Sequence, residues 1–128
     1  MAGPKTRERG ELERAIMTAL WSADAPLSAH DIQQSLTGAA PAYTTVLTTL
    51  DRLEKKHLVT RIVESPRRVR FAPAHSETEQ ASLSMHTALA DARDRRAALL
   101  KFTGDLSTDD LDVLRSALDS TRGKRRKS

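Results

Sequence analysis

Thr44, Thr45, Thr48, Arg52 and Lys55 fall at spacings that place them on one side of a single helix. Threonine can donate to or accept from a base edge, or offer its methyl to thymine. Arginine can make a two-pronged contact with guanine, and lysine meets phosphate as a point charge. Tyr43 opens the same stretch, where it either packs on the preceding helix or touches a sugar-phosphate backbone. A few residues on, Arg61, Arg67, Arg68 and Arg70 form a second basic group. A run of charge on one helix is more often an ordinary solvated face. Two adjacent basic elements, however, fit a polyanion better than either does alone.

Other chemistries lack their residues. The chain has no cysteine, and His30, His57, His75 and His86 never stand at ligand spacing, so neither a metal nor any other cofactor is expected. Asp109, Asp110 and Asp112 sit where the first turn of a helix favours carboxylates, which accounts for them without a cation. No nucleophile lies in a strand-turn-helix elbow, and there is no glycine-rich phosphate loop. An enzyme is not expected.

The elements that must position these residues follow from apolar periodicity. Leu12, Ile16 and Leu20 mark an amphipathic helix over about 11–21, ended by Asp24-Ala25-Pro26. Ser28 and Asp31 stand at capping-box spacing before a short second helix with Ile32 and Leu36 on its buried edge. Residues 37–41 read as a loop. A third helix carries Val46, Leu50 and Leu53 inward and ends near His57, which leaves the threonines and cations outward.

The period then changes. Residues 59–64 and 69–72 are β-branched or aromatic runs around Ser65-Pro66-Arg67-Arg68, the composition of a hairpin with a basic tip, and Pro73 closes the second strand. A long fourth helix is expected over 77–102. A fifth follows the Gly104-Asp105-Leu106 interruption, with Ser107-Thr-Asp-Asp110 as its N-cap and first turn. Helix, helix, helix, strand, strand with a basic tip describes a winged helix-turn-helix in a mainly α chain, whose third helix is the reader.

The 128 residues carry a formal net charge of +4, unevenly spread. Residues 1–75 hold eleven Lys/Arg against eight Asp/Glu, residues 76–121 five against nine, and residues 122–128 five against none. The expected organisation is a flexible N-terminus (1–9), a winged-helix domain (10–75), a two-helix dimerisation region (76–121) and a disordered basic tail (122–128). A helical pair of that length cannot enclose a core alone, yet carries Met85, Leu89, Leu99, Leu100, Phe102, Leu111, Leu114 and Leu118. A homodimer would cover them. No signal peptide or spanning segment is evident, so no membrane insertion and a cytoplasmic location are expected.

The stretch from Ala42 to Val59 resembles the BlaI/MecI penicillinase-repressor family. The strongest part is Thr-Val-x-Thr-x-Leu-x-Arg-Leu-x-Lys-Lys from Thr45 to Lys56. Residues 10–17, Leu20-Trp21 and Arg70-Phe-Ala-Pro73 add to it, and the likeness covers about residues 10–120. It implies a dimeric repressor on a palindromic double-stranded DNA operator, with Thr44, Thr45, Thr48 and Arg52 at the reader positions. It also implies a helical dimerisation region, a regulatory protease that relieves repression, and a link to antibiotic resistance.

Three departures stand out. Ala42 replaces the serine that often opens the reader helix. Lys101-Phe102 replaces the Asn-Phe bond cut in some relatives. The absence of cysteine excludes the copper-responsive branch. The alternative reading is a winged-helix protein-interaction module without DNA contact. An effector-binding regulator is disfavoured because the C-terminal region is too short and polar to enclose a pocket.

Overall fold

The computed structural model describes residues 9–38 and 41–126. The chain forms two compact units, residues 1–82 and 83–128. The first contains α1 (Arg9–Ser22), α2 (Ala29–Ser35), α3 (Tyr43–Lys55), β1 (Val59–Ser65) and β2 (Arg68–Pro73). Leu12, Ile16, Met17 and Leu20 from α1 close on Ala29 and Ile32 from α2 and on Val46, Leu50 and Leu53 from α3. Val59 and Phe71 complete this core from the strands. Thr49 is buried among them at no polar cost, because its hydroxyl donates to the Thr45 carbonyl at 2.8 Å.

The helix ends explain how α3 is set. Ser28 caps α2, its Oγ accepting the Asp31 N–H at 3.1 Å. Ala42 offers α3 no side-chain cap. The turn before it is held instead by Gln33, whose Nε2 donates to the Pro41 carbonyl at 3.0 Å. At the other end the Leu58 N–H reaches the Leu53 carbonyl (2.9 Å) and the His57 N–H reaches that of Glu54 (3.0 Å), the paired bonds of a Schellman stop. That stop needs a left-handed residue, and His57 supplies it at φ 63°.

The strands pair antiparallel from Val59 opposite Pro73 to Ser65 opposite Arg68, with an irregularity between Val63 and Ser65 and a two-residue turn, Pro66-Arg67. Leu27 adds a one-residue third strand. It exchanges both backbone hydrogen bonds with Phe71, at 2.9 and 2.7 Å, and so ties the α1–α2 connection to β2.

After the hairpin come α4 (Glu77–Asp91), α5 (Arg95–Asp105) and α6 (Thr108–Arg126). A reciprocal capping box opens α4: Ser76 Oγ accepts the Glu79 N–H, and the Glu79 carboxylate accepts the Ser76 N–H. That backbone bond, and then the Ser76 hydroxyl, hold the Glu79 carboxyl below its ordinary pKa.

The expected single helix over 77–102 is two helices, so three follow the hairpin rather than two. Helix α4 ends at Asp91. Asp94 then caps α5, its carboxylate accepting the Ala97 N–H at 3.0 Å. Aspartate competes for backbone donors and favours a fresh start over helix continuation. Ser107 caps α6 as expected, accepting the Asp110 N–H at 3.1 Å. The backbone of residues 122–126 is helical, continuing α6, where a disordered tail was expected; Arg9 likewise belongs to α1. Residues 1–8, 127 and 128 of the two expected terminal segments lie outside the described residues.

Candidate nucleic-acid interface

Burial of Val46, Leu50 and Leu53 turns the opposite side of α3 to solvent. Thr44, Thr45, Thr48 and Lys55 are exposed, Arg52 is half-buried and Tyr43 is 45% exposed. The Thr48 hydroxyl donates to the Thr44 carbonyl at 2.9 Å, so Thr48 presents lone pairs and a methyl outward. The hydroxyls of Thr44 and Thr45 have no partner among the described residues, and remain free to donate or accept.

The seven cations from Arg52 to Arg70 fall into two groups. Lys56 is bound to Glu13 of α1 at 2.8 Å. Arg61 reaches Asp51 at 2.6 Å and Glu54 at 3.1 Å, and its guanidinium lies 5.2 Å from the centre of the Phe71 ring. Arg68 pairs with Glu64 at 3.3 Å across the hairpin tip. Arg52, Lys55, Arg67 and Arg70 have no acidic partner among the described residues. Two of these lie on α3 and two on the hairpin, with Arg67 in the exposed turn.

Arg61, read from sequence as part of the basic hairpin, therefore turns back onto α3. Its acidic partners Asp51 and Glu54 had no sequence signal, since nothing in a helix states which strand will pass beside it. Trp21 packs against the core while donating from Nε1 to the His75 carbonyl at 3.0 Å.

In the second unit the residues expected to meet a partner are uncovered. Met85 is 62% exposed, Leu100 61% and Leu118 65%. Leu99, Phe102 and Leu114 are also exposed, and Leu89 and Leu111 are half-buried. No residue of α4 or α5 is buried. Leu83 and Val113, which the sequence reading passed over, are exposed as well. Lys101-Phe102 lies inside α5. Among the described residues, no group of side chains could hold a metal ion, and no helix is long and apolar enough to cross a membrane.

Three helices closed by a hairpin, with hydroxyls and unpaired cations facing outward from the third, define a winged helix-turn-helix protein of the transcriptional-regulator class. The chain belongs to the penicillinase repressor family, whose model matches residues 9–120. It is 42% identical over 118 residues to the transcriptional regulator BlaI of Mycobacterium tuberculosis, in both strain CDC 1551 / Oshkosh and strain H37Rv, covering 89% of this chain and 85% of the relative.

Among solved structures it is similar to MepR, a transcription regulator of the Staphylococcus aureus multidrug efflux pump MepA. That match is 18% identical with a TM-score of 0.46, covering 88% of this chain and 77% of the other. A MarR/EmrR family transcriptional regulator from Acinetobacter sp. ADP1 is 19% identical with a TM-score of 0.42, covering 91% and 75%.

Proposed function

We propose that the protein is a sequence-specific DNA-binding repressor. It acts as a homodimer on a palindromic operator, α3 entering the major groove and the hairpin meeting phosphate. The observation that carries this reading is the sorting of cations: Lys56, Arg61 and Arg68 are neutralised within the fold, while Arg52, Lys55, Arg67 and Arg70 have no acidic partner among the described residues and stand with three exposed threonines. Unpaired cations on two adjacent elements suit a repeating array of phosphates, and the threonines and Arg52 suit base edges. The uncovered apolar side chains of α4, α5 and α6 support a two-fold partner, which would present two reader helices to two half-sites.

Relief of repression by proteolysis is part of the same proposal. Cutting Lys101-Phe102 would require α5 to unwind locally. Residues 92–94 and 106–107 lie between the helices and are the easier targets. The test of the whole reading is titration of genomic fragments retained by the protein, and of scrambled duplexes, over a series of salt concentrations. Tight binding to selected fragments that weakens steeply with salt is expected. Absence of binding to every duplex would favour the protein-interaction module instead.

A further inference from the structure

Arg61 makes contacts of an unusual kind for a residue in a basic wing. It projects from β1 onto the last turns of α3, where its Nη2 donates to Asp51 at 2.6 Å and its Nε to Glu54 at 3.1 Å. Its planar group also lies over Phe71, which is buried, stands opposite Arg61 in the hairpin register and is fixed by both of its backbone bonds to Leu27. The guanidinium thus has a rigid seat. The three charged side chains keep 34%, 58% and 41% of their exposure, and ion pairs this open contribute little to stability. Their placement is more telling: Asp51 and Glu54 flank Arg52 and precede Lys55, the two unpaired cations of α3.

We infer that Arg61 is a positioning residue that acts through Asp51 and Glu54, neutralising two carboxylates that would otherwise stand beside the DNA backbone and repel it. The inference rests on the reading of α3 as the DNA-facing helix. Two unmasked carboxylates within a Debye length, about 8 Å at physiological salt, of a phosphate oppose the attraction supplied by Arg52 and Lys55. Arg61 removes that opposition without itself touching the duplex, and its seat on Phe71 keeps it in place when the wing tip moves.

The test uses the full-length protein and four forms: wild type, R61Q, D51N/E54Q and the triple variant R61Q/D51N/E54Q. Each is titrated by fluorescence anisotropy against a selected operator and a scrambled duplex at several salt concentrations. R61Q is expected to bind both duplexes at least about tenfold more weakly at low salt, with the gap narrowing as salt rises. D51N/E54Q should bind at least as tightly as wild type, and the triple variant should recover to near wild type. Thermal melting without DNA should be little changed in all four forms.

R61Q binding as well as wild type overturns the inference. So does a triple variant as weak as R61Q, because Arg61 would then touch phosphate itself or support the fold. If the wild type binds no duplex at any salt, the reading of α3 has failed and the inference goes with it. If the wild type binds and the triple variant is not rescued, only the inference fails.

Discussion

The indole N–H of Trp21 donates to the carbonyl of His75 at 3.0 Å, joining residues 54 positions apart. Trp21 lies in the last turn of α1 and His75 follows the second strand, so this bond returns the chain leaving the wing to α1. With the Leu27–Phe71 bridge and the Lys56–Glu13 pair, it fixes α3 and the hairpin to one scaffold.

Trp21→Phe keeps most of the ring's packing and removes the donor. Stability should fall by about 1 kcal/mol, the net worth of one such hydrogen bond. Because Trp21 is the only tryptophan, urea unfolding must be followed by circular dichroism rather than fluorescence. An unchanged midpoint would show that water replaces the indole at no cost.

His57→Gly should stabilise the protein. His57 holds a left-handed conformation in the Schellman stop of α3, which costs a side-chain-bearing residue about 1 kcal/mol or more that glycine avoids. The gain is partly offset by the greater freedom of glycine in the unfolded chain. A net gain of about 0.5 kcal/mol in denaturant titration is expected, and a loss would mean that the imidazole makes compensating contacts.

Arg52→Ala should weaken operator binding by about 1 to 3 kcal/mol and reduce discrimination against a scrambled duplex. Arg67→Ala should instead weaken binding to all duplexes alike and lower the salt slope by about one unit, whereas Arg68→Ala, already paired with Glu64, should lower it less. Equal small losses on both duplexes for Arg52→Ala would remove it from base reading.

Leu118→Glu and Leu100→Glu test the dimer with little risk to the monomer, since both side chains are more than half exposed. Sedimentation should show a shift from dimer to monomer, and operator affinity should fall by about 10² or more as the second half-site contact ceases to be intramolecular. A variant that remains dimeric would place the interface elsewhere.

The sequence carried most of the first unit. The spacing of Val46, Leu50 and Leu53 predicts both the third helix and the side it exposes, and the β-branched or aromatic runs around Ser65-Pro66-Arg67-Arg68 predict the hairpin. These signals are legible because burial imposes a period. What stayed hidden depends on distant neighbours or on single residues. A one-residue strand at Leu27 has no period. Arg61 meets Asp51 and Glu54 through the packing of β1 against α3. Neither glycine nor proline marks the break at Asp94, and histidine is not the residue expected at the left-handed stop after α3.

The Leu27–Phe71 bridge makes the wing a cantilever. Phe71 stands opposite Arg61, on the third rung of a ladder whose first is Val59 and Pro73, so the lower half of the hairpin is held by the Leu27 bridge along β2 and by burial of Val59 and Phe71. Its upper half, from Ile62 and Arg70 to the Pro66-Arg67 turn, has no third strand beside it among the described residues and touches the core through Val69. Bending is therefore concentrated above the clamp. A load on Arg67 flexes the free end, while the fulcrum at Phe71 shields α3 and lets the tip follow an uneven surface without moving that helix.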